Sequence, residues 1–249
     1  MKKRTMILLM CMLVTLTSVA FGTIAYLTDY AHVRNSFTIG NVEITVHETA
    51  VDENGDPKPN PAHDPSDPTS DPFLRTYTAN EYPLIPDSVY RKDPTVTITA
   101  GSEEAYVRML VTLNKAAEID AIFNQLKAHY PEKYPNGFEP GQFVPDYDGE
   151  KWIYTGEMQK DAANNTYTLE FRYFEPVKPS ETEDLRLTAL FEKIRIPGEL
   201  TNGHLFSLQG FAIEVWGHAI QTTGFNNADD AWNAFGKQME LESSNTQEP

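Results

Sequence analysis

Apolar and polar residues alternate along many short stretches of this chain, which is typical of strands that bury one face in a sheet. Between residues 35 and 48, Phe37 and Ile39 share one parity, whereas the apolar residues of 42–46 have the other. The parity changes at Gly40-Asn41, where a bulge or a tight turn fits. The pattern therefore predicts two strand segments joined at that point.

The same alternation predicts strands through the rest of the chain. Residues 105–112 place Ala105, Val107, Met109 and Val111 on the opposite parity from Tyr106, Arg108, Leu110 and Thr112. Further strand-like stretches cover residues 95–98, 152–154, 166–174, 185–196 and 207–221. Many strands, frequent turn residues and few helices indicate a mainly β fold, an antiparallel β-sandwich rather than a βαβ architecture.

Two segments have the period of an amphipathic helix instead. In residues 115–130 the apolar side chains recur at three- and four-residue steps, and Pro131 ends the pattern. Near the end of the chain, Asn227 is a candidate cap for a short helix that carries Trp232 and Phe235 on one face. We therefore expect one or two short helices beside the strands.

The first 25 residues have the order of a secretory signal peptide. Lys2, Lys3 and Arg4 precede an apolar run from residue 6 to 21, and small residues follow up to Ala25. We predict that a signal peptidase cleaves between Ala25 and Tyr26, which leaves a secreted chain at the cell surface with no stable membrane span.

The predicted mature chain is strongly acidic. The formal charge of the whole chain is −16, and removal of three basic residues with the signal peptide makes it −19. Such a field repels nucleic acid, so nucleic-acid binding is excluded as a function.

Cys11 leaves with the signal peptide, so no disulfide forms and stability must come from packing. We expect a single domain over residues 26–239.

Residues 51–72 interrupt the strand pattern. They hold six prolines and six acidic residues with almost nothing apolar after Val51. Proline lacks a backbone donor and the carboxylates repel one another, so we expect an exposed insertion that does not pair in a sheet. Residues 240–249 are read as a polar, frayed tail.

Two stretches resemble catalytic or metal-binding motifs in part. The pentad from His47 to Val51 lacks the second histidine of the zinc-protease pattern, and we interpret it as a solvent-facing strand end. Asp52, Asn54 and Asp56 have alternate oxygen ligands but not the glycine or the final acid of a calcium loop. They stay weak candidates for a calcium site, against the alternative of a solvated loop. No catalytic motif and no cofactor-binding motif is found.

The chain resembles the TasA and camelysin family of proteins exported by a SipW-type signal peptidase in Gram-positive bacteria. The resemblance rests on GTIAYLTD and NSFTIGNVEITVHE near the start, on KDPTVTITAGSEEAYVRMLV and FEPVKPSETEDLRLTALFEKIRIPGEL in the middle, and on IEVWGHAIQTTGFNNADDAWNAF near the end. It implies a jelly-roll-like β-sandwich and a structural protein of the cell surface or biofilm matrix. The peptidase activity described for camelysin is not carried over, because the pentad offers no residues for it.

The resemblance also implies a mode of assembly. In fibres of the family the segment after the cleavage site completes the sheet of the next subunit, and here that segment is residues 26–35, with Tyr26, Leu27 and Val33 as contact residues. The partners are then other copies of the chain or other matrix proteins. The alternatives left open are a disordered leader on a monomer, a monomeric binding module for calcium or cell-wall material, and a hydrolase with carboxylates that the sequence cannot pair.

Overall fold

The fold is built from eleven strands and three helices in the part of the chain that the structure describes. That structure is a computed structural model, and it describes residues 33–39, 41–67 and 70–245. The strands are β1 (Val33–Ile39), β2 (Ile44–Thr49), β3 (Arg75–Thr76), β4 (Val89–Arg91), β5 (Thr95–Ile98), β6 (Ala105–Asn114), β7 (Trp152–Asp161), β8 (Thr166–Tyr173), β9 (Leu185–Arg186), β10 (Lys193–Arg195) and β11 (Ile213–Gln221). The helices are α1 (Ala116–His129), α2 (Asn202–Ser207) and α3 (Ala228–Asn245), and a single 3₁₀ turn covers Pro140–Gln142.

Two β-sheets form the body of the fold. One has five strands in the order β1-β11-β6-β8-β7, the other has four in the order β3-β2-β5-β9, and a separate ribbon pairs β10 with β4. The prediction of a mainly β fold is confirmed. The predicted antiparallel pairing holds for the described strands with one exception, because β1 lies parallel to β11. No hairpin joins these two strands, so no tight turn imposes an antiparallel direction on them.

The two sheets approach each other closely at Gly217 of β11. A Cβ atom added there would lie 2.4 Å from Cγ2 of Val46 in β2 and 3.5 Å from side-chain atoms of Ile44 and Val96. The inward parity of β6 faces the same core, as predicted from its alternation: Ala105, Val107, Met109, Val111 and Leu113 are all buried. The facing sheets therefore enclose one core in the manner of a sandwich.

Gly217→Ala is expected to lower the free energy of unfolding by about 1–3 kcal/mol, because the new methyl group overlaps the stiff side chain of Val46. Denaturant unfolding would measure the loss. Gly236→Ala in α3 is the matched control: no atom lies within 4 Å of its added Cβ, so its stability should stay equal or rise by up to about 1 kcal/mol. Val46→Ala should recover stability only in the Gly217→Ala background, and additive effects would contradict the close approach of the sheets.

Helix α1 matches the segment predicted from its period. Its buried residues are Ala116, Ile119, Ile122, Phe123 and Leu126. Phe123 packs at ring-centroid distances of 5.2–5.8 Å against Phe138, Tyr134 and Phe143. The helix therefore closes one end of the core with aromatic rings.

Helix α3 is longer than the short helix predicted. It continues to Asn245, so the stretch read as a polar tail begins inside the helix. Residues 237–245 contain neither proline nor glycine and are mostly good helix formers, so local propensity carries the helix onward. Trp232 and Phe235 of α3 pack with Ile220 of β11 in a second, smaller apolar cluster on the outer side of the five-stranded sheet.

Two predicted strands are broken in the structure. Residues 185–196 form only β9 and β10, because Leu187, Leu190 and Phe191 between them are buried together in the core and do not alternate. Residues 207–212 are not a strand either, since α2 ends at residue 207 and Gly210 takes a left-handed conformation with φ of 77° before β11 begins.

The acidic insertion is mostly exposed but it does pair with the fold. Isolated bridges join Val51 to Pro57 and Pro59 to Phe73. The N–H of Lys58, between the two prolines, donates to the carbonyl of Ala50 at 2.8 Å. The expectation that this stretch forms no sheet-like pairs is therefore wrong, because the residue between the prolines supplies the donor that they lack.

Candidate functional site

The edge formed by β1 is the first candidate, because the predicted assembly segment, residues 26–35, overlaps the start of this strand. Val33 lies opposite Val215 and Thr38 opposite Ala219 of β11, with an irregular register between Arg34 and Phe37. β1 is the outermost strand of the five-stranded sheet. The predicted cleavage site at Ala25-Tyr26 and the contact residue Leu27 lie outside the described residues.

The opposite edge of that sheet is formed by β7 and has features that discourage pairing. The register of β7 against β8 shifts between Tyr154 and Met158, and Gly156 within the shift has φ of 87°. Glu157 and Lys160 on this strand are exposed. A bulge and alternating charges are common protections of sheet edges. Of the two edges, the β1 side is therefore the better candidate for exchange between copies.

The calcium candidates lie in a turn whose own backbone uses the central carboxylate. Asp52 Oδ1 accepts the N–H groups of Asn54 at 2.9 Å and of Asp56 at 3.0 Å. Those two backbone hydrogen bonds lower the pKa of Asp52. Across residues 41–67 and 70–237, no three His, Cys, Asp or Glu side chains converge as metal ligands. The turn therefore has a structural explanation, and calcium binding stays a prediction.

The strand end from His47 to Thr49 is buried, which corrects its interpretation as solvent-facing. His47 is 5% exposed, and Glu48 and Thr49 are fully buried. β3 and the segments before β4 and β5 cover this end of β2 and supply polar partners for all three side chains. Sequence reasoning missed this buried polar cluster; the only signal was a run of polar residues directly after an apolar strand.

Asp93 is the centre of one half of the buried cluster. Its carboxylate accepts the N–H of Thr49 at 2.6 Å and the hydroxyl of the same residue at 2.7 Å. It also accepts a guanidinium N–H of Arg75 at 2.7 Å and one of Arg91 at 3.2 Å. Burial alone would raise the pKa of Asp93, but Arg75 and the Thr49 hydrogen bonds outweigh it and the pKa is lowered. The Asp93 carboxylate thus connects the segment before β5 to β2 and β3 by hydrogen bonds.

Glu48 is the centre of the other half. Lys92 Nζ donates to Glu48 Oε2 at 3.0 Å, and both side chains are 0% exposed. Asn80 Nδ2 donates to Glu48 Oε1 at 2.7 Å and to the carbonyl of Thr49 at 2.8 Å. Asn80 Oδ1 accepts the N–H of Val51 at 3.0 Å. One oxygen of the Glu48 carboxylate therefore binds a lysine amine and the other binds a carboxamide, away from water.

An apolar cavity of about 210 Å³ opens beside the five-stranded sheet. Its lining comes from β6, β7, β8 and the loop that follows α1, and includes Val111, Leu113, Val144, Tyr147, Tyr154 and Phe171. Pockets for drug-sized ligands usually have volumes of about 300–1,000 Å³, so only a small apolar group fits here. The residues that line the cavity are apolar or aromatic, and none of them is charged.

Comparisons of the chain with protein-family models, with curated proteins and with solved structures find no match. Within the described ranges, no helix combines the length and the apolar character needed to cross a bilayer.

Proposed function

We propose that this protein is an exported structural protein of the cell surface or extracellular matrix, and that its copies assemble by exchanging the N-terminal strand. The observation that carries the proposal is the position of β1, which follows the predicted cleavage site and occupies the outer edge of the five-stranded sheet beside β11. A jelly-roll-like sandwich of the TasA and camelysin type is part of the same proposal.

Strand exchange has a simple energetic basis. When β1 of one copy lies on β11 of the next, it forms the same backbone hydrogen bonds that it forms within its own chain. Exchange of an identical element between copies is therefore a low-cost route to assembly. Because each copy both gives a strand and accepts one, the contact is head-to-tail and can continue into a fibre.

The residues around β1 also favour exchange. Only residues 40–43 separate β1 from β2 in the facing sheet, so the strand is attached to the rest of the domain at one end by a short link. Cleavage between Ala25 and Tyr26 would free its other end. The protected β7 edge leaves β1 and β11 as the site through which copies meet.

Deleting residues 26–35 from the mature chain should abolish polymers while a folded domain remains. Size-exclusion chromatography and electron microscopy would detect the polymers, and far-UV circular dichroism would report the fold. A mature chain that begins at Tyr26 should polymerise, whereas a chain with a short N-terminal extension should not. Polymers that persist after the deletion would contradict the proposal.

Paired single-cysteine variants test the exchange directly, because the chain after residue 25 contains no cysteine. Thr38 and Ala219 are register partners in β1 and β11. A mixture of Thr38→Cys and Ala219→Cys chains should form mixed disulfide dimers only if β1 of one copy lies on β11 of another. Thr168→Cys on β8 replaces Ala219→Cys in the control mixture. Equal cross-linking in both mixtures would rule out the specific exchange.

A further inference from the structure

The proposed assembly gives no role to the buried cluster of Glu48, Asn80 and Lys92. It brings an amine, a carboxamide and a carboxylate together with complete burial of Lys92 and Glu48 and 6% exposure of Asn80. We propose that Lys92 and Asn80 form an intramolecular isopeptide bond, with Glu48 as the acid and base of the reaction. The inference is independent of strand exchange, because it concerns a covalent bond within one chain.

Lys92 is placed as the nucleophile. Its ammonium group is buried against the Glu48 carboxylate at 3.0 Å, and its Nζ lies 5.7 Å from the ring centroid of Tyr82. An amine becomes nucleophilic when it loses its proton, and Glu48 Oε2 lies within hydrogen-bonding distance to accept that proton.

Asn80 is placed as the electrophile. Its Oδ1 accepts the N–H of Val51 at 3.0 Å, and that donor would stabilise negative charge on the oxygen when the amine attacks the carbon. Its Nδ2 lies 2.7 Å from Oε1 of Glu48. The same carboxylate therefore touches both the attacking nitrogen and the leaving nitrogen, on different oxygens, as a proton shuttle requires.

The reaction balances without any other reagent. Glu48 takes a proton from Lys92 Nζ, and the free amine attacks Cγ of Asn80 to form the new C–N bond while the carbonyl electron pair moves to Oδ1. Glu48 returns its proton to Nδ2 and takes another from Nζ. The carbonyl then re-forms, the bond between Cγ and Nδ2 breaks, and ammonia leaves. One amide replaces another, with no oxidant, metal ion or cofactor.

The bond would join two segments of the fold beside β2, at a site without disulfides. Asn80 follows β3, Lys92 lies between β4 and β5, and Glu48 is in β2. A covalent link between Asn80 and Lys92 closes a short loop and restricts the unfolded chain, as a disulfide does. Unlike a disulfide, an amide link resists reducing agents.

Trypsin mapping of the denatured and reduced protein tests the proposal. Cleavage after Arg75, Arg91 and Arg108 should release residues 76–91 still joined to residues 92–108, with a mass lower than the sum of the two peptides by one ammonia. Ring closure at an Asn-Gly pair such as Asn54-Gly55 also releases ammonia, so the joined peptide rather than the intact mass is decisive. Separate peptides 76–91 and 93–108 from the unaltered chain would overturn the proposal.

Three variants identify the groups. Lys92→Met and Asn80→Ala should each give only unjoined peptides. Glu48→Gln keeps the size of the side chain but cannot exchange protons in the same way, and it too should remain unjoined. The matched control is Glu81→Gln, an exposed neighbour of Asn80, which should keep the link. A link that persists in Glu48→Gln would overturn the role of Glu48, and the map of the unaltered chain is decisive even if a variant fails to fold.

Discussion

Asp93→Ala is expected to lower the free energy of unfolding by about 3–5 kcal/mol, which is the usual cost of removing one partner from a buried ion pair. Asp93 is 3% exposed and lies 2.7 Å from a guanidinium nitrogen of Arg75. Without the carboxylate, Arg75 keeps a charge with little access to water, since its side chain is 13% exposed. The N–H of Thr49 also loses its acceptor inside the protein.

Urea unfolding would measure this loss, and two variants calibrate it. Asp93→Asn keeps an acceptor for the Thr49 N–H but removes the charge, so we expect a smaller loss than with alanine. Asp146→Ala removes an ion pair of equal length, 2.7 Å, to Lys193 on the surface, where the side chains are 47% and 67% exposed. Exposed pairs contribute about 0–1 kcal/mol. A similar loss for Asp146→Ala and Asp93→Ala would contradict the role given to burial.

The pH dependence of the Asp93 contribution follows from the direction of its shift. Its pKa in the folded state lies below the ordinary aspartate value of 3.8. The folded protein therefore binds a proton there less readily than the unfolded chain does. The stabilisation is complete above the unfolded pKa and is lost as the pH falls through the folded pKa, so it disappears only in strong acid.

The strands and helices that were predicted correctly from the sequence are those that bury one face, because burial of one face gives a regular pattern of apolar residues. In β6 every second residue is buried, and α1 has its apolar residues on one stripe, so local pattern and tertiary position agree. The single strand predicted for residues 185–196 was wrong, because Leu187 and Leu190 fill the core between two short strands. No local pattern specifies that position. The parallel pairing of β1 with β11 is likewise a long-range contact that the sequence does not encode locally.

The buried polar cluster was missed for a related physical reason. The cluster is formed by residues that are separated in the sequence, Glu48, Asn80 and Lys92. Each of them is of a type that is usually exposed at the protein surface. Burial of such groups is tolerated only when partners from other segments satisfy them, and those partners are known only from the fold. The predicted assembly residues, in contrast, come from a resemblance, and of these only Val33 falls within the described residues.

Two buried histidines share one arrangement, from which we expect the domain to lose stability in mild acid. Arg75 Nε donates to Nδ1 of His47 at 3.0 Å, and Arg108 Nε donates to Nδ1 of His218 at 3.2 Å. A proton on either Nδ1 would break that hydrogen bond and place two positive charges together. Burial, followed by the neighbouring arginine, lowers the pKa of each histidine from 6.5 to about 4.

Stability should therefore fall as the pH is lowered from about 6.5 to about 4, since the unfolded chain binds more protons than the folded one throughout this window. The stabilisation that each neutral histidine gives is complete above the unfolded pKa. By about pH 4 the free energy of unfolding has fallen by on the order of 3 kcal/mol for each histidine. Asp93 does not explain this window, because its contribution is lost below pH 3.8.

His47→Gln and His218→Gln test the assignment, because glutamine can accept the arginine hydrogen bond but does not titrate. Urea unfolding from about pH 7.5 to about pH 4.5 should show a shallower loss of stability in each variant, and the shallowest in the double variant. His129→Gln, at an exposed position on α1, is the matched control and should keep the original slope. If the double variant loses stability as steeply as the unaltered chain, the acid sensitivity lies elsewhere and the two arginine–histidine pairs are not its source.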